Sequence, residues 1–300
     1  MDGFLNILKP PGMTSGDVVL YIKKRLPRGT RVGHGGTLDP DACGVLPVCV
    51  GNAVRLFDYI IDKEKTYLGE ITLGAVTDTQ DSSGKTLEER DWQGIGRRQI
   101  EEALPRFTGT ILQTPPMYSA IKKNGRRLYK MARAGQEIEV ESREAQIHSL
   151  EYVSQTGENT HLLRICCGKG VYIRTLLHDI GEALGCGAHM SMLIRESAGA
   201  FSIGEAALLS QIEPEAIEGL LEPLDLPLEK YVCARVGGEH VHFVKNGNPL
   251  KPHWLSFSGE AGPGEIVRIY MDEEFVGMGE VLENGAVRFK AMLWNGPQAE

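Results

Sequence analysis

The spacing of apolar residues changes period several times along the chain, and each change predicts an element. In "MTSGDVVLYIKKRLP" (13–27), Val18, Ile22 and Leu26 fall on one helical face behind an N-cap candidate, Thr14 or Ser15, and Pro27 ends the pattern. "GVLPVCVG" (44–51) is a short buried run bounded by glycines, whereas "KTYLGEITLGAVT" (65–77) places Tyr67, Gly69, Ile71 and Leu73 on one face of a strand. "RRQIEEALPRF" (97–107) reads as a short helix, and "THLLRICCGKG" (160–170) as a strand ending in a glycine turn. In "VYIRTLLHDIGEALG" (171–185), Ile173, Leu176, Leu177, Ile180 and Leu184 mark a helix closed by Gly185. Strands and helices mix without a regular βαβα rhythm, which predicts an α+β fold rather than a doubly wound parallel sheet.

The acidic stretch 205–229 predicts a short helix and a connector. Beyond it the texture changes: "EIVRIYM", "EFVGMGEVL" and "AVRFKAML" alternate over short spans between Gly, Asp and Asn turns, the pattern of a small β-barrel or sandwich. A boundary near residue 229 follows, with domains at 1–228 and 229–300.

With 300 residues, 42% of them hydrophobic and 24% charged, the chain has an ordinary globular composition and can bury a large core. The opening "MDGFLNILKPPGMTSGD" lacks the basic and apolar regions of a secretory signal, and no apolar run approaches a membrane span. Six scattered cysteines read as reduced thiols. The expectation is a soluble, cytoplasmic protein with no membrane contact. Its net charge of −8 argues against a nucleic-acid partner until the charges are located. Residues 113–136 carry Lys122, Lys123, Arg126, Arg127, Lys130 and Arg133 with no acid, and 18–38 carry five bases with no acid. Such runs are often only solvated faces, but here acids and bases are segregated, and basic surfaces can exist on an acidic chain.

Several familiar chemistries lack their parts. "GKT" (84–86) has Thr79 where a phosphate loop needs glycine, and His34-Gly35-Gly36 has no G-x-S-x-G to supply an esterase nucleophile. Cys186 and His189 form one doublet without a second, and His240 and His242 are more simply a surface pair. No dinucleotide fingerprint occurs. The expectation is a chain without cofactor or metal, whose chemistry rests on carboxylates, tyrosines, arginines or histidines.

"GHGGTLDPDACG" (33–44) is the richest candidate. Its glycines permit positive φ and close approach of a ligand, and Pro40 stiffens the chain just after Asp39. A carboxylate fixed there could be a nucleophile, a base or merely a turn cap.

The segment extended to "GHGGTLDPDACGVLPVCVGNAVRL" resembles the defining motif of the TruB-type tRNA pseudouridine synthases. The resemblance continues in "KTYLGEITLGAVTDTQDSSG", "QTPPMYSAIKKNGRRLYKMARAGQ" and "CGKGVYIRTLLHDIGEALGCGAHMSMLIRESAGAF", in the family's order, over most of residues 1–205. It implies a mixed, mostly antiparallel sheet as catalytic domain and a small C-terminal β-barrel of PUA-like type. It also implies isomerisation of the T-loop uridine (position 55) of tRNA to pseudouridine, by cleaving the N1–C1′ bond and rejoining the base through C5, with no cofactor and no required protein partner, by a monomer.

The resemblance makes Asp39 the catalytic carboxylate and Asp41 a solvent-facing substitution. Arg174, in "VYIRT", becomes the partner that orients Asp39 and holds its pKa low; Tyr67 stacks on the target base and helps with proton removal. Tyr172 and Leu193 line the uridine pocket, although without the family both read as core. His34 enters the RNA loop and stacks there, filling the gap left by a flipped base. An insertion at about 113–145, with Lys122, Lys123, Arg126, Arg127 and Lys130, closes over the T-arm. The departures are Gly35, Asp41 and Cys43, where the family commonly has threonine, an apolar residue and threonine. Two rival readings remain open: an RNA chaperone that folds tRNA on the same fold, and a guide-RNA-dependent synthase.

Overall fold

The strict alternation of Lys65–Leu73 marks the strand that runs through the middle of a ten-stranded sheet. The computed structural model describes residues 1–61, 64–116, 122–123, 126–127, 131 and 140–294. From edge to edge the main sheet runs Ala207–Leu208, Gly3–Lys9, Cys43–Val50, Ala188–Ala198, Lys65–Leu73, Thr160–Cys167, Arg143–Gln155, Gly109–Gln113. Val32–His34 and Phe201–Ser202 pair off this path. Two of the pairings are parallel, Gly3–Lys9 with Ala207–Leu208 and Cys43–Val50 with Ala188–Ala198; the others are antiparallel. The sheet is therefore mixed and mostly antiparallel, as expected.

Each reading of the apolar pattern has a physical counterpart. Gly3–Lys9 and Cys43–Val50 do not alternate because both their faces are covered. Leu5, Ile7, Leu46, Val48 and Val50 pack against Val18 and Ile22 of helix Ser15–Lys23, and Phe4, Val45 and Cys49 face a second cluster. Thr14 caps that helix in a reciprocal box with Asp17, which frees Ser15 for another task. Helix Ile173–Leu184 buries Ile173, Leu176, Leu177 and Ile180 against Tyr67, Ile71, Leu163 and Leu193 of the sheet. Each such aliphatic side chain contributes about 1.5–3 kcal/mol on burial. The helix ends at Gly185, φ +82°, in the left-handed region where glycine carries no Cβ penalty.

The acidic stretch corrects an expectation. It contains no α-helix but a series of 3-10 turns, among them Ile203–Glu205, Leu209–Gln211, Ile217–Leu220 and Leu226–Leu228. It also does more than connect: Ala207–Leu208 adds an edge strand, Glu222 bridges Phe4, and Ile212 and Ile217 are fully buried beside Leu5. Prolines and glycines interrupt it every few residues, so a helix cannot propagate and the apolar residues anchor turns instead.

The C-terminal strands form a five-stranded sheet in the order Leu255–Phe257, Cys233–Val236, Ile266–Met271, Glu274–Val281, Val287–Met292. Its strand order is open and not a closed barrel. A single bridge, Leu250 with Val287, links the far edge to the segment that leads into Leu255–Phe257. His240 and His242 lie on a turn and a short helix, not on a strand, and His240 stacks on Trp254 with ring centroids 4.2 Å apart. Met278, Ala291 and Leu293 share a cluster with Phe4 and Leu228, and the Arg55 guanidinium donates to the Met292 carbonyl at 2.5 Å. The two sheets are thus packed together. All six cysteines are free, and among the described residues no helix is long and apolar enough to cross a membrane.

Candidate functional site

The loop between His34 and Cys43 is held from both sides of Asp39. On one side, the Ser15 hydroxyl accepts from the Leu38 amide at 2.9 Å and lies 3.2 Å from the Leu38 carbonyl. On the other, the Pro40 carbonyl accepts from Lys9 Nζ at 2.9 Å and from the Gly12 amide at 2.9 Å. Lys9 is fully buried and spends its remaining donors on the carbonyls of Pro10 (2.8 Å) and Met13 (2.5 Å). Burial pulls its pKa down, against the pull of Cys43, Asp41 and Asp39. Leu38 and Ala42 drop into the same core cluster as Tyr67 and Leu193, pinning the loop apolar side down. Asp41 is exposed, as expected.

Gly44 explains why the loop must end in glycine. Its φ is +108°, and a Cβ there would lie 2.3 Å from the Arg195 carbonyl oxygen and 2.6 Å from the Arg195 nitrogen. Backbone cannot yield as a flexible side chain does, so the approach of Cys43–Val50 to Ala188–Ala198 at this point requires glycine.

Arg174 meets Asp39 as the resemblance implies. Its Nε lies 3.0 Å from Asp39 Oδ2 and its Nη2 3.5 Å from Oδ1, a two-pronged contact. The guanidinium side chain is only 6% exposed, whereas 37% of the Asp39 side chain is exposed. Sequence reasoning missed a second acid: Arg174 Nη1 also reaches Asp81 Oδ2 at 3.2 Å and the Thr79 carbonyl at 3.2 Å. Asp81 is itself fixed, accepting at Oδ1 from the hydroxyls of Thr79 and Ser83 and the Ser83 amide. One guanidinium therefore serves two carboxylates. Gln80, between Thr79 and Asp81 in the chain, adopts φ +63°, rare for a side-chain-bearing residue, and accepts from the Thr175 hydroxyl at 2.7 Å.

Arg174 lowers the Asp39 pKa as the resemblance implies, but the net shift runs the other way. Burial is the largest influence and pushes the carboxyl above the ordinary aspartate value; Arg174 opposes it, Asp81 adds to it, Lys9 opposes and Asp41 adds. Sharing Arg174 with Asp81 dilutes the one strong counter-charge.

Tyr67 is nearly buried on the central strand. Its phenol is also pushed up by burial, against the opposing charge of Arg195; the Asp39 charge adds to the rise, which places the two groups within one electrostatic neighbourhood. Leu193 stands on the adjoining strand opposite Gly69 and packs in the Tyr67 cluster. Tyr172 is the residue before helix Ile173–Leu184, and Gln113 fixes it by its backbone: the Gln113 amide donates to the Tyr172 carbonyl at 3.1 Å and accepts from the Tyr172 amide at 3.1 Å. Gln113 was invisible in the sequence except as the start of a basic run. His34 ends strand Val32–His34, half-buried, five residues before Asp39. Lys122–Lys123 and Arg126–Arg127 pair as a two-stranded antiparallel hairpin, of which only the backbone is described; Lys130 lies outside the described residues.

The site thus unites a fixed, partly exposed carboxylate, a buried guanidinium on it, and a buried tyrosine in the same electrostatic neighbourhood. Such a constellation can act on a bond brought to Asp39 without water or metal taking part.

Comparison with known proteins matches two family models in tandem: "TruB family pseudouridylate synthase (N terminal domain)" over residues 23–173 and "tRNA pseudouridylate synthase B C-terminal domain" over residues 174–232. The tRNA pseudouridine synthase B of Alkaliphilus oremlandii is 43% identical over 282 residues, covering 94% of this chain and 93% of that protein. Its counterpart in Clostridium tetani is 39% identical over 285 residues, covering 95% and 97%. Among solved structures, a chain in the crystal structure of a Cbf5-Nop10-Gar1 complex aligns with a TM-score of 0.75 at 26% identity, covering 97% of this chain and 84% of that one.

Proposed function

This chain belongs to the TruB family of pseudouridylate synthases, and from that premise we propose that it converts the T-loop uridine of tRNA, position 55, to pseudouridine, with Asp39 as the catalytic carboxylate. The observation that carries the assignment is the contact of Arg174 with Asp39 at 3.0 Å, on a loop pinned at Leu38 and Pro40. Breaking the N1–C1′ bond leaves a ribose that a carboxylate can either attack or deprotonate, and both routes need an ionised oxygen held still. Arg174 holds it by charge-assisted hydrogen bonds, and the fixed backbone removes the entropy of finding the pose. Nothing is gained or lost overall, so the freed uracil must turn within the pocket and rejoin through C5. Tyr67 and Leu193 supply the apolar wall for that turn.

On this reading residues 1–228 form the catalytic domain and 229–300 a PUA-like barrel that meets a more distant part of the tRNA. His34 fills the space of the flipped base, while Lys122, Lys123, Arg126, Arg127 and Lys130 approach the T-arm phosphates. The enzyme works in the cytoplasm as a monomer without a protein partner. The higher identity to tRNA pseudouridine synthase B, 39–43% against 26% for the chain of the Cbf5 complex, favours tRNA alone as substrate over a guide-dependent reaction. The test is an unmodified tRNA transcript treated with the purified protein and mapped for pseudouridine. Modification at position 55 without added factors is expected; modification only with a guide RNA or partner proteins would overturn the assignment, and tRNA folding without modification would point to a chaperone.

The shared guanidinium predicts a pH effect with a sign. Activity requires ionised Asp39, so the single-turnover rate falls on the acid side through a pKa above the ordinary aspartate value. Removing the Asp81 charge takes away an influence that raises this pKa and leaves Arg174 to Asp39 alone. Asp81→Asn is therefore expected to move the acid limb to lower pH while slowing the plateau rate; a rate–pH profile measured from pH 4 to 8 checks it, and a limb displaced upward would refute it.

A further inference from the structure

Gln113 is 3% exposed, and a buried amide is tolerated where both its ends find partners. One residue supplies both: Nε2 donates to the Tyr172 carbonyl at 3.1 Å, and Oε1 accepts from the Tyr172 amide at 3.1 Å. The side chain thus copies a hydrogen-bonded ladder pair with a residue 59 positions away. What it holds is the start of helix Ile173–Leu184, which has no side-chain cap at Tyr172. The chain reaches that start through Gly168-Lys169-Gly170, with Gly170 at φ +76°, and glycines impose little direction of their own. Arg174, whose guanidinium lies on Asp39, follows in the first turn of the helix.

The backbone of Gln113 has a second task. It pairs with Arg143, the last residue of strand Gly109–Gln113 against the first of Arg143–Gln155. Next to this pair the hydroxyls of Thr114 and Ser142 lie 2.8 Å apart. Gln113 therefore closes the root of the segment that leaves the sheet at Thr114, returns at Ser142 and carries Lys122, Lys123, Arg126 and Arg127. One residue joins the base of that basic segment to the helix that carries Arg174.

We infer that Gln113 is a positioning residue of the reaction: through the Tyr172 backbone it seats the first turn of the helix, so that Arg174 meets Asp39 from a fixed direction. It also ties that turn to the root of the basic segment, so one side chain serves both. The inference rests on the reading of Asp39 as the reacting carboxylate.

Single-turnover conversion of a tRNA transcript tests it, with tRNA affinity by filter binding, melting curves and rate–pH profiles from pH 4 to 8. Gln113→Met keeps the length of the side chain and removes both hydrogen bonds. Gln113→Asn falls one methylene short of them, and carries the test where Gln113→Met does not fold. Asn159→Ala is the comparison: the Asn159 amide also clamps distant backbone, donating to the Leu73 carbonyl at 2.7 Å across 86 positions, but holds no part of the site. Gln113→Met is expected to slow the plateau rate by about 10- to 50-fold with affinity within about threefold, because positioning and not binding is lost. Its acid limb is expected to move up by about 0.3 to 1 pH unit, since a displaced Arg174 opposes protonation of Asp39 less, although no charge is altered. Asn159→Ala is expected to lower the melting temperature and leave rate and limb in place. A full rate without the Gln113 amide, a slower rate with an unmoved limb, or a loss confined to tRNA affinity would overturn the inference. A wild-type chain inactive on the transcript would instead remove the reading beneath it.

Discussion

Asp39→Asn is expected to lower single-turnover pseudouridine formation by about 10⁴-fold or more while leaving tRNA affinity within a few-fold. Asparagine keeps the shape and can still accept from Arg174, but it cannot carry the negative charge that attack or deprotonation demands. The loop need not rearrange, because Ser15 and Lys9 hold it by the backbone of Leu38 and Pro40 and not by the Asp39 side chain. Stability should respond in the opposite sense to activity. The folded-state pKa of Asp39 lies above its ordinary value, so the native state binds this proton more tightly than the unfolded chain. Ionised Asp39 then costs stability at neutral pH, and that cost fades as pH falls through the raised pKa toward the ordinary one. The variant is expected to melt no lower than wild type at pH 7, with any gain shrinking as the pH is lowered. Thermal melts across this range, beside a rapid-quench assay, separate the two effects. An active Asp39→Asn would sink the assignment of the carboxylate.

Arg174 is expected to show the second-largest effect, and here activity and stability fall together. Lysine keeps the charge but presents one ammonium where the guanidinium reaches Asp39, Asp81 and the Thr79 carbonyl from separate nitrogens. Arg174→Lys should slow the reaction by about 10²- to 10³-fold, with the loss in kcat rather than KM. Arg174→Met goes further, leaving two neighbouring carboxylates without their cation, and should cost about 3–5 kcal/mol of stability, as breaking a buried pair does. The acid limb of the residual activity should move to higher pH, because Arg174 is the main influence holding the Asp39 pKa down. This is the reverse of the shift expected for Asp81→Asn, so the pair of variants tests the shared guanidinium directly. Unfolding and rate measurements on Arg174→Lys with neither loss would show that the contact is incidental.

The elements and the loop were legible in the sequence because their signals are local. The helical spacing of Val18 and Ile22, the alternation about Tyr67 and the glycine after Leu184 each depend on a few consecutive residues, and the structure puts helix Ser15–Lys23, strand Lys65–Leu73 and helix Ile173–Leu184 there. Where competing local signals were balanced, as in the acidic stretch after Glu205, proline and glycine spacing decided against a helix. The contact of Arg174 with Asp39 could be named from the resemblance but not from the chain itself, since 135 positions separate the two.

Sequence by itself determined the α+β character, the mixed sheet's strongest strands and the glycine loop that carries Asp39; the resemblance added the exposure of Asp41 and pointed to Asp39 as the reacting acid. Tertiary structure alone decided which groups share that acid. Asp81 joins it through Arg174, Lys9 and Ser15 grip the residues on either side, Gln113 sets the backbone of Tyr172, and Arg195 donates to the carbonyls of Gly36 and Val45. It also decided that the Asp39 pKa rises rather than falls. The physical reason is common to all of these. Periodicity and turn chemistry are set by neighbours along the chain, whereas desolvation and the division of one guanidinium between two carboxylates depend on what crosses the sheet, and no run of adjacent residues encodes that.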